Sequence, residues 1–336
     1  MGIKIDAIDL FKFLGSILIF MMHCNTLGDY PSVQVVPDLL ARWGVPFFFI
    51  CSAYFLFGKG ENGNIDKETL RKYVIRIGML YALWFLYNLP NVAYQRLYSK
   101  GIWAVSTWLK FLKSALLSST FTGSWYLTSS IFSAWFVYTL AKRFSTKAIM
   151  GICSVFYLVC VMTSAYYGLL PSSVAKVLDF LCFPTNLFAG CFYFSLGKYI
   201  AENQASLFKR FSKKASAFAF AAFYLLFLFE LYLTTRFGVL DGTDMAFSIA
   251  GAAVFLLLFC LRADLMLKNG SLLRKLSTII YCCQGNVLLV NGVFKKVLGI
   301  PSVVAFLMSS CIVAAICILV LLIQKKGVWK WSKYLT

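Results

Sequence analysis

Histidine is nearly missing: His23 is the single imidazole in a chain of 336 residues. Eleven cysteines are present, but no Cys-x-x-Cys pair stands among them. With one His and no such pair, no structural zinc or iron–sulfur site is expected, and no metal is read into the chain. The cysteines fall almost wholly inside apolar runs and are expected as free thiols, packed as small hydrophobes. Charge is also scarce, at 13% of residues against 60% hydrophobic, with a mean hydropathy of +0.78. A soluble surface needs far more charge, so a soluble domain is excluded. The apolar runs lack strict alternation, which excludes the strands of an outer-membrane barrel. No small-residue cleavage site follows the first apolar run, and Asp6 and Asp9 lead it, so no cleavable signal peptide is expected. No internal repeat with matching broken helices is visible, which weakens a transporter reading.

What is present is a series of ten apolar runs, near residues 8–27, 39–57, 74–95, 123–141, 148–168, 180–200, 216–235, 245–262, 276–294 and 300–323. They predict an all-α, polytopic membrane helix bundle of about ten transmembrane helices, with both termini cytoplasmic. The residues 1–336 read as one transmembrane domain with no soluble module. A formal charge of +19 invites a nucleic-acid partner, but topology accounts for it. Of the 32 basic residues, 21 fall on the predicted cytoplasmic side and eight outside, as the positive-inside rule requires. The partner is therefore the lipid bilayer, not nucleic acid. The remaining three, Lys12, Arg42 and Arg76, lie within or at the ends of runs. Between runs, residues 95–122 interleave Trp103, Trp108, Leu109 and Leu112 with Lys110 and Lys113. That pattern suits a short amphipathic helix in the outer interface, or a partial re-entrant segment.

Ionisable residues inside a bilayer are costly and serve as candidate functional sites by default. His23 suits both proton removal and return near neutral pH. Lys12 precedes it by eleven residues, about 20° past three helical turns and about 16 Å of rise, so the two share a helix face. Alternatively, the pair is a snorkelling lysine and a hydrogen-bonded structural histidine. Glu230, alone among Phe227, Leu228, Phe229, Leu231 and Tyr232, lies at about the same depth as His23 and needs a partner or a proton. It could equally be an interfacial acid at the end of its run. Trp125 and Asn186 are placed toward the outside; Lys12, Lys72 and Arg76 toward the cytoplasm.

These residues resemble the acyltransferase-3 family of integral membrane acyltransferases. Asp9, Lys12 and His23 match the family's first-span pattern, with Lys where Arg is commoner. Val45-Pro46-Phe47-Phe48-Phe49-Ile50-Cys51-Ser52-Ala53 matches the second, with Ala53 in place of the customary Gly. Lys72 and Arg76 approximate the basic pair that opens the third span, although Tyr73 stands where its first Arg would be. Ser124-Trp125-Tyr126-Leu127, Phe192-Tyr193-Phe194-Ser195-Leu196-Gly197 and Ser277-Thr278-Ile279-Ile280-Tyr281 continue the order. Beyond that last run many members carry a second His, where this chain has Gln284. The segments around Asn186, Glu230 and Asp244 look most like the membrane domains found beside vancomycin-type serine racemases.

The resemblance implies a membrane O-acyltransferase of the bacterial cytoplasmic membrane. It would take an acyl group, most often acetyl, from cytoplasmic acyl-CoA to a carbohydrate hydroxyl of the cell envelope. Acyl-CoA is then a co-substrate, and no permanently bound cofactor is expected. The carbohydrate would be acylated directly or through a separate extracytoplasmic acyl-accepting protein. Lys12, Lys72 and Arg76 would hold the CoA phosphates, and Asp9 would orient Lys12. His23 and Glu230 would be catalytic, with Trp125 and Asn186 on the acceptor side. The rival from another class is an exporter of a glycan or lipid-linked polysaccharide, with His23 and Glu230 as a proton-coupling pair.

Overall fold

The structure, a computed structural model, describes residues 6–97, 105–117, 119–180, 185–327 and 329–336. Among the described residues, helix occupies part of each of the ten apolar runs, and no strand occurs. Three helical segments are long and apolar enough to cross a membrane, Val36–Phe57, Lys213–Arg236 and Ser302–Lys326. A fourth is gained if the bent pair Gly270–Cys282 and Gln284–Lys296 counts as one span. The protein is thus a helical membrane protein.

The chain divides into two compact units. The first comprises Met1–Gly44, Ile75–Thr128 and Met266–Thr336. It contains α1 (Asp6–His23), α2 (Val36–Ala41) and all but the first turns of α4 (Lys67–Tyr87). After them come α5 (Leu89–Val92), α6 (Val105–Leu117) and the start of α7 (Ser124–Ala141). Its last third is α13 (Gly270–Cys282), α14 (Gln284–Lys296) and α15 (Ser302–Lys326). Here α1 packs along α13, and α14 packs on α15. In α6, Val105, Trp108, Leu109 and Leu112 are exposed while Thr107 is buried. Trp103 lies outside the described residues.

The second unit comprises Val45–Val74 and Ser129–Leu265. It holds α3 (Gly44–Phe57), the rest of α7, α8 (Thr146–Met162), α9 (Ser172–Phe180) and α10 (Thr185–Arg210). The pair α11 (Lys213–Arg236) and α12 (Phe247–Leu261) completes it. The main packings are α11 on α12 and α8 on α10. Gly197 of α10 touches α3 so closely that an added Cβ would meet the Ile50 carbonyl at 2.5 Å and the Ala53 Cβ at 2.6 Å. At the same end of α10, Lys198 is fully buried and donates to the Gly63 carbonyl at 2.8 Å and to Glu202 at 2.5 Å. Glu202 also accepts from Thr146, so an α10 ion pair pins the loop after α3 and the start of α8.

Two helix boundaries decide where the polar residues come to lie. The first apolar run reads to residue 27, yet α1 stops at His23. Asn25 turns left-handed at φ 45°, a conformation Asn tolerates, and Thr26 donates its hydroxyl to the Met21 carbonyl. The run at 276–294 is likewise not one helix, because it bends by 59° between α13 and α14.

Candidate functional site

His23 is the last residue of α1, and the residue is exposed where the chain leaves the helix. Its charged neighbours are Arg42 and Asp38. Those two form an ion pair that runs from the first turn of α2 to its C-cap, both largely shielded from solvent. Just beyond His23, the Lys295 ammonium donates to the carbonyls of Cys24 and Asn25, each at 3.2 Å. A cation at carbonyls left over at a helix end is the favourable polarity. The neighbourhood of the imidazole is therefore polar and net basic. The sequence singled out Arg42 as an unusual intramembrane cation but assigned it no role, and Asp38 was missed. Both belong to a turn of helix that follows His23 by more than a dozen residues, so no local spacing signals the encounter.

Lys12 and Asp9 lie lower on the same helix. Asp9 is buried and accepts a two-pronged contact from Arg274 of α13, Nε at 2.9 Å and Nη2 at 2.7 Å. Through that fork Asp9 ties α1 to α13. The Ser277 hydroxyl donates to the Lys12 carbonyl at 3.0 Å, continuing the tie one turn on. Lys12 itself is partly exposed and Arg76 of α4 is exposed.

Trp125 is half-buried in the first turn of α7. Ser124 holds the turn that leads into the helix, its hydroxyl accepting from the backbone N–H groups of Thr120 and Phe121. Gly123, at φ 82°, offers its carbonyl to the Tyr281 hydroxyl at 3.0 Å. A Cβ there would press on the Tyr281 ring at 3.1 Å, so glycine is required both for the turn and for the approach.

The α13–α14 break is stitched by asparagines. Asn88 donates to the carbonyls of Trp84 and Cys282 and accepts from the Asn286 N–H. Asn91 donates to the Gly285 carbonyl at 2.5 Å, and Asn286 donates to the Tyr87 carbonyl at 2.6 Å. These residues escaped sequence reasoning, although several amides inside apolar runs are a usable signal.

In the second unit, Glu230 is 8% exposed and accepts four hydrogen bonds. Donors are the backbone N–H groups of Phe247 and Ser248, the Ser248 hydroxyl and the Tyr166 hydroxyl, at 2.7 to 3.0 Å. The carboxylate thus caps the N-terminus of α12, where negative charge is favoured. Asn186 offers its backbone carbonyl to the Ser129 hydroxyl at 2.7 Å. Lys72 is mostly exposed, 3.8 Å from Glu68.

The profile of the acyltransferase domain family matches residues 5–323, nearly the whole chain. Two curated proteins of Enterococcus faecalis, each named amino-acid racemase, are also similar. One is 25% identical over 66% of this chain, the other 26% identical over 49%. This chain spans only 31% and 24% of their respective lengths. No solved structure matches.

Proposed function

The chain belongs to the acyltransferase-3 family of membrane enzymes, and from that premise we propose that it carries an acyl group, most often acetyl, from cytoplasmic acyl-CoA to a carbohydrate hydroxyl of the cell envelope. The observation that carries this reading is the place of His23 at the end of α1 beside Arg42 and Asp38, on the helix that bears Lys12 nearer its start. In the proposed reaction, the phosphates of CoA meet Lys12 and Arg76, with Lys72 four residues before Arg76 as a further solvated cation. His23 then takes the proton of the acceptor hydroxyl as its oxygen attacks the thioester carbonyl, and returns it to the departing CoA sulfur. Equally compatible is transfer of the acyl group first to the imidazole nitrogen, then to the hydroxyl. The nearby Arg42–Asp38 pair supplies fixed charge beside the reacting atoms, where preorganised dipoles act most strongly. Ten membrane crossings with both ends in the cytoplasm complete the proposal, since they give the donor and acceptor separate entrances.

The test is turnover of acetyl-CoA by the purified protein in lipid, with mass analysis of surface glycans in cells with and without it. His23→Ala should lower transfer by roughly 10²–10⁴ while the protein still inserts and stays monodisperse. Activity within threefold of wild type would remove His23 from the chemistry.

A further inference from the structure

Gln284 is 1% exposed, and among the described residues neither its amide nitrogen nor its amide oxygen has a hydrogen-bond partner. Its neighbours in sequence and space behave otherwise: Asn88, Asn91 and Asn286 all hold partners across the α13–α14 break. A fold that satisfies three amides at one break and leaves the fourth bare has kept that group for something else.

The level of Gln284 follows from paired contacts along α1. At the lower end Arg274 meets Asp9 and Ser277 meets the Lys12 carbonyl; at the upper end Lys295 meets Cys24 and Asn25. Numbers rise together on both sides, so α13 and α14 run parallel to α1, and Gln284 falls between the level of Lys12 and that of His23. It stands at the first position of α14, directly after the break. Accepting the acyl-CoA reading, the thioester must reach His23 from phosphates held near Lys12, about 16 Å lower at helical rise. The pantetheine arm that covers this distance carries two secondary amides, each with one donor and one acceptor. Those amides lose water on entering the bundle and need replacement partners. A primary carboxamide offers the matching donor and acceptor.

We propose that Gln284 is a donor-binding residue that reads a secondary amide of the pantetheine arm, holding the thioester at the level of His23. Because this rests on the acyl-CoA reading, the experiment separates the two. Wild type, Gln284→Leu and Gln284→Met are purified in lipid nanodiscs, and binding is measured for coenzyme A and for adenosine 3′,5′-bisphosphate, which keeps the phosphorylated end and lacks the arm. Both variants should bind coenzyme A about 10-fold more weakly and adenosine 3′,5′-bisphosphate as wild type does, a loss of the size expected when one buried amide goes unpaired. Their ligand-free melting temperatures should equal or exceed that of wild type, because an unpartnered buried amide contributes nothing to the empty fold. Coenzyme A binding within twofold of wild type in both variants would overturn the assignment. So would a lowered melting temperature with both ligands lost, which would make Gln284 a structural residue. If wild type binds neither compound, the acyl-CoA reading itself falls.

Discussion

A buried carboxylate with four donors has no lone pair to spare, and Glu230 shows what such an acid does for a fold. Removing it by Glu230→Ala leaves two N–H groups of α12 and two hydroxyls unpaired, which should cost about 1–3 kcal/mol. The melting temperature in detergent should drop, and Glu230→Gln should recover part of the loss. The cations that the proposed reaction assigns to coenzyme A are different in kind, since on that proposal their value appears only with substrate. Lys12→Ala and Arg76→Ala should each raise the KM for acetyl-CoA by the equivalent of roughly 1.5–3 kcal/mol, with melting unchanged. The effect should shrink as salt rises, because the phosphate contacts are partly solvated. Lys72, three-quarters exposed, should contribute less than either.

At the scale of elements, most of the organisation was legible and the partners were not. Continuous apolar runs located every main helix, because a segment buried among helices or in lipid has no polar face to interrupt it. Reading the first run four residues too long reflects a local fact that hydropathy ignores: Asn25 can turn left-handed and end α1. The bend in the ninth run was missed for a similar reason, since asparagine side chains distant in sequence supply the bonds that a broken helix forfeits. The depth of Glu230 was computable, but its donors Tyr166, Phe247 and Ser248 come from other segments. Two element-level outcomes follow. Arg274→Ala strips the fork from buried Asp9 and should destabilise the α1–α13 contact by about 1–3 kcal/mol, read by thermal melting. The other lies at the start of α15, where the backbone N–H and hydroxyl of Ser302 hold the Asp29 carboxyl below its usual range. A depressed carboxylate stabilises above its unfolded pKa and loses that contribution as pH falls through the folded value. Melting of wild type should therefore decline on acidification through the carboxylate range, and Asp29→Asn should flatten that decline.

At the scale of the molecule, the surface is written for lipid. Only 22% of the apolar window of α11 and of α15 is buried, so their long sides present residues such as Leu225, Phe229 and Leu319 outward. That is how a chain with 13% charged residues stays ordered: hydrocarbon, not water, meets these faces. Leu319→Arg should cost roughly 2.5–3.5 kcal/mol on insertion if it sits near the bilayer centre, lowering the membrane-integrated fraction after alkaline extraction, whereas Leu319→Met should leave it unchanged. The close contact of Gly197 with Ile50 and Ala53 tests the opposite, protein-facing side. Gly197→Ala should destabilise the fold by about 1–3 kcal/mol without touching insertion.

The asparagine stitching at the α13–α14 break carries a consequence for motion. A helix interrupted without compensation is a hinge, free to flex where its ladder lapses. Here the Cys282 carbonyl and the Asn286 N–H are engaged by Asn88, which joins α4 to α5, and the Gly285 carbonyl by Asn91 of α5. The bend is therefore a fixed corner, and deuterium should enter the Asn286 amide only as slowly as the first unit opens as a whole. Any gate that admits substrate must swing elsewhere.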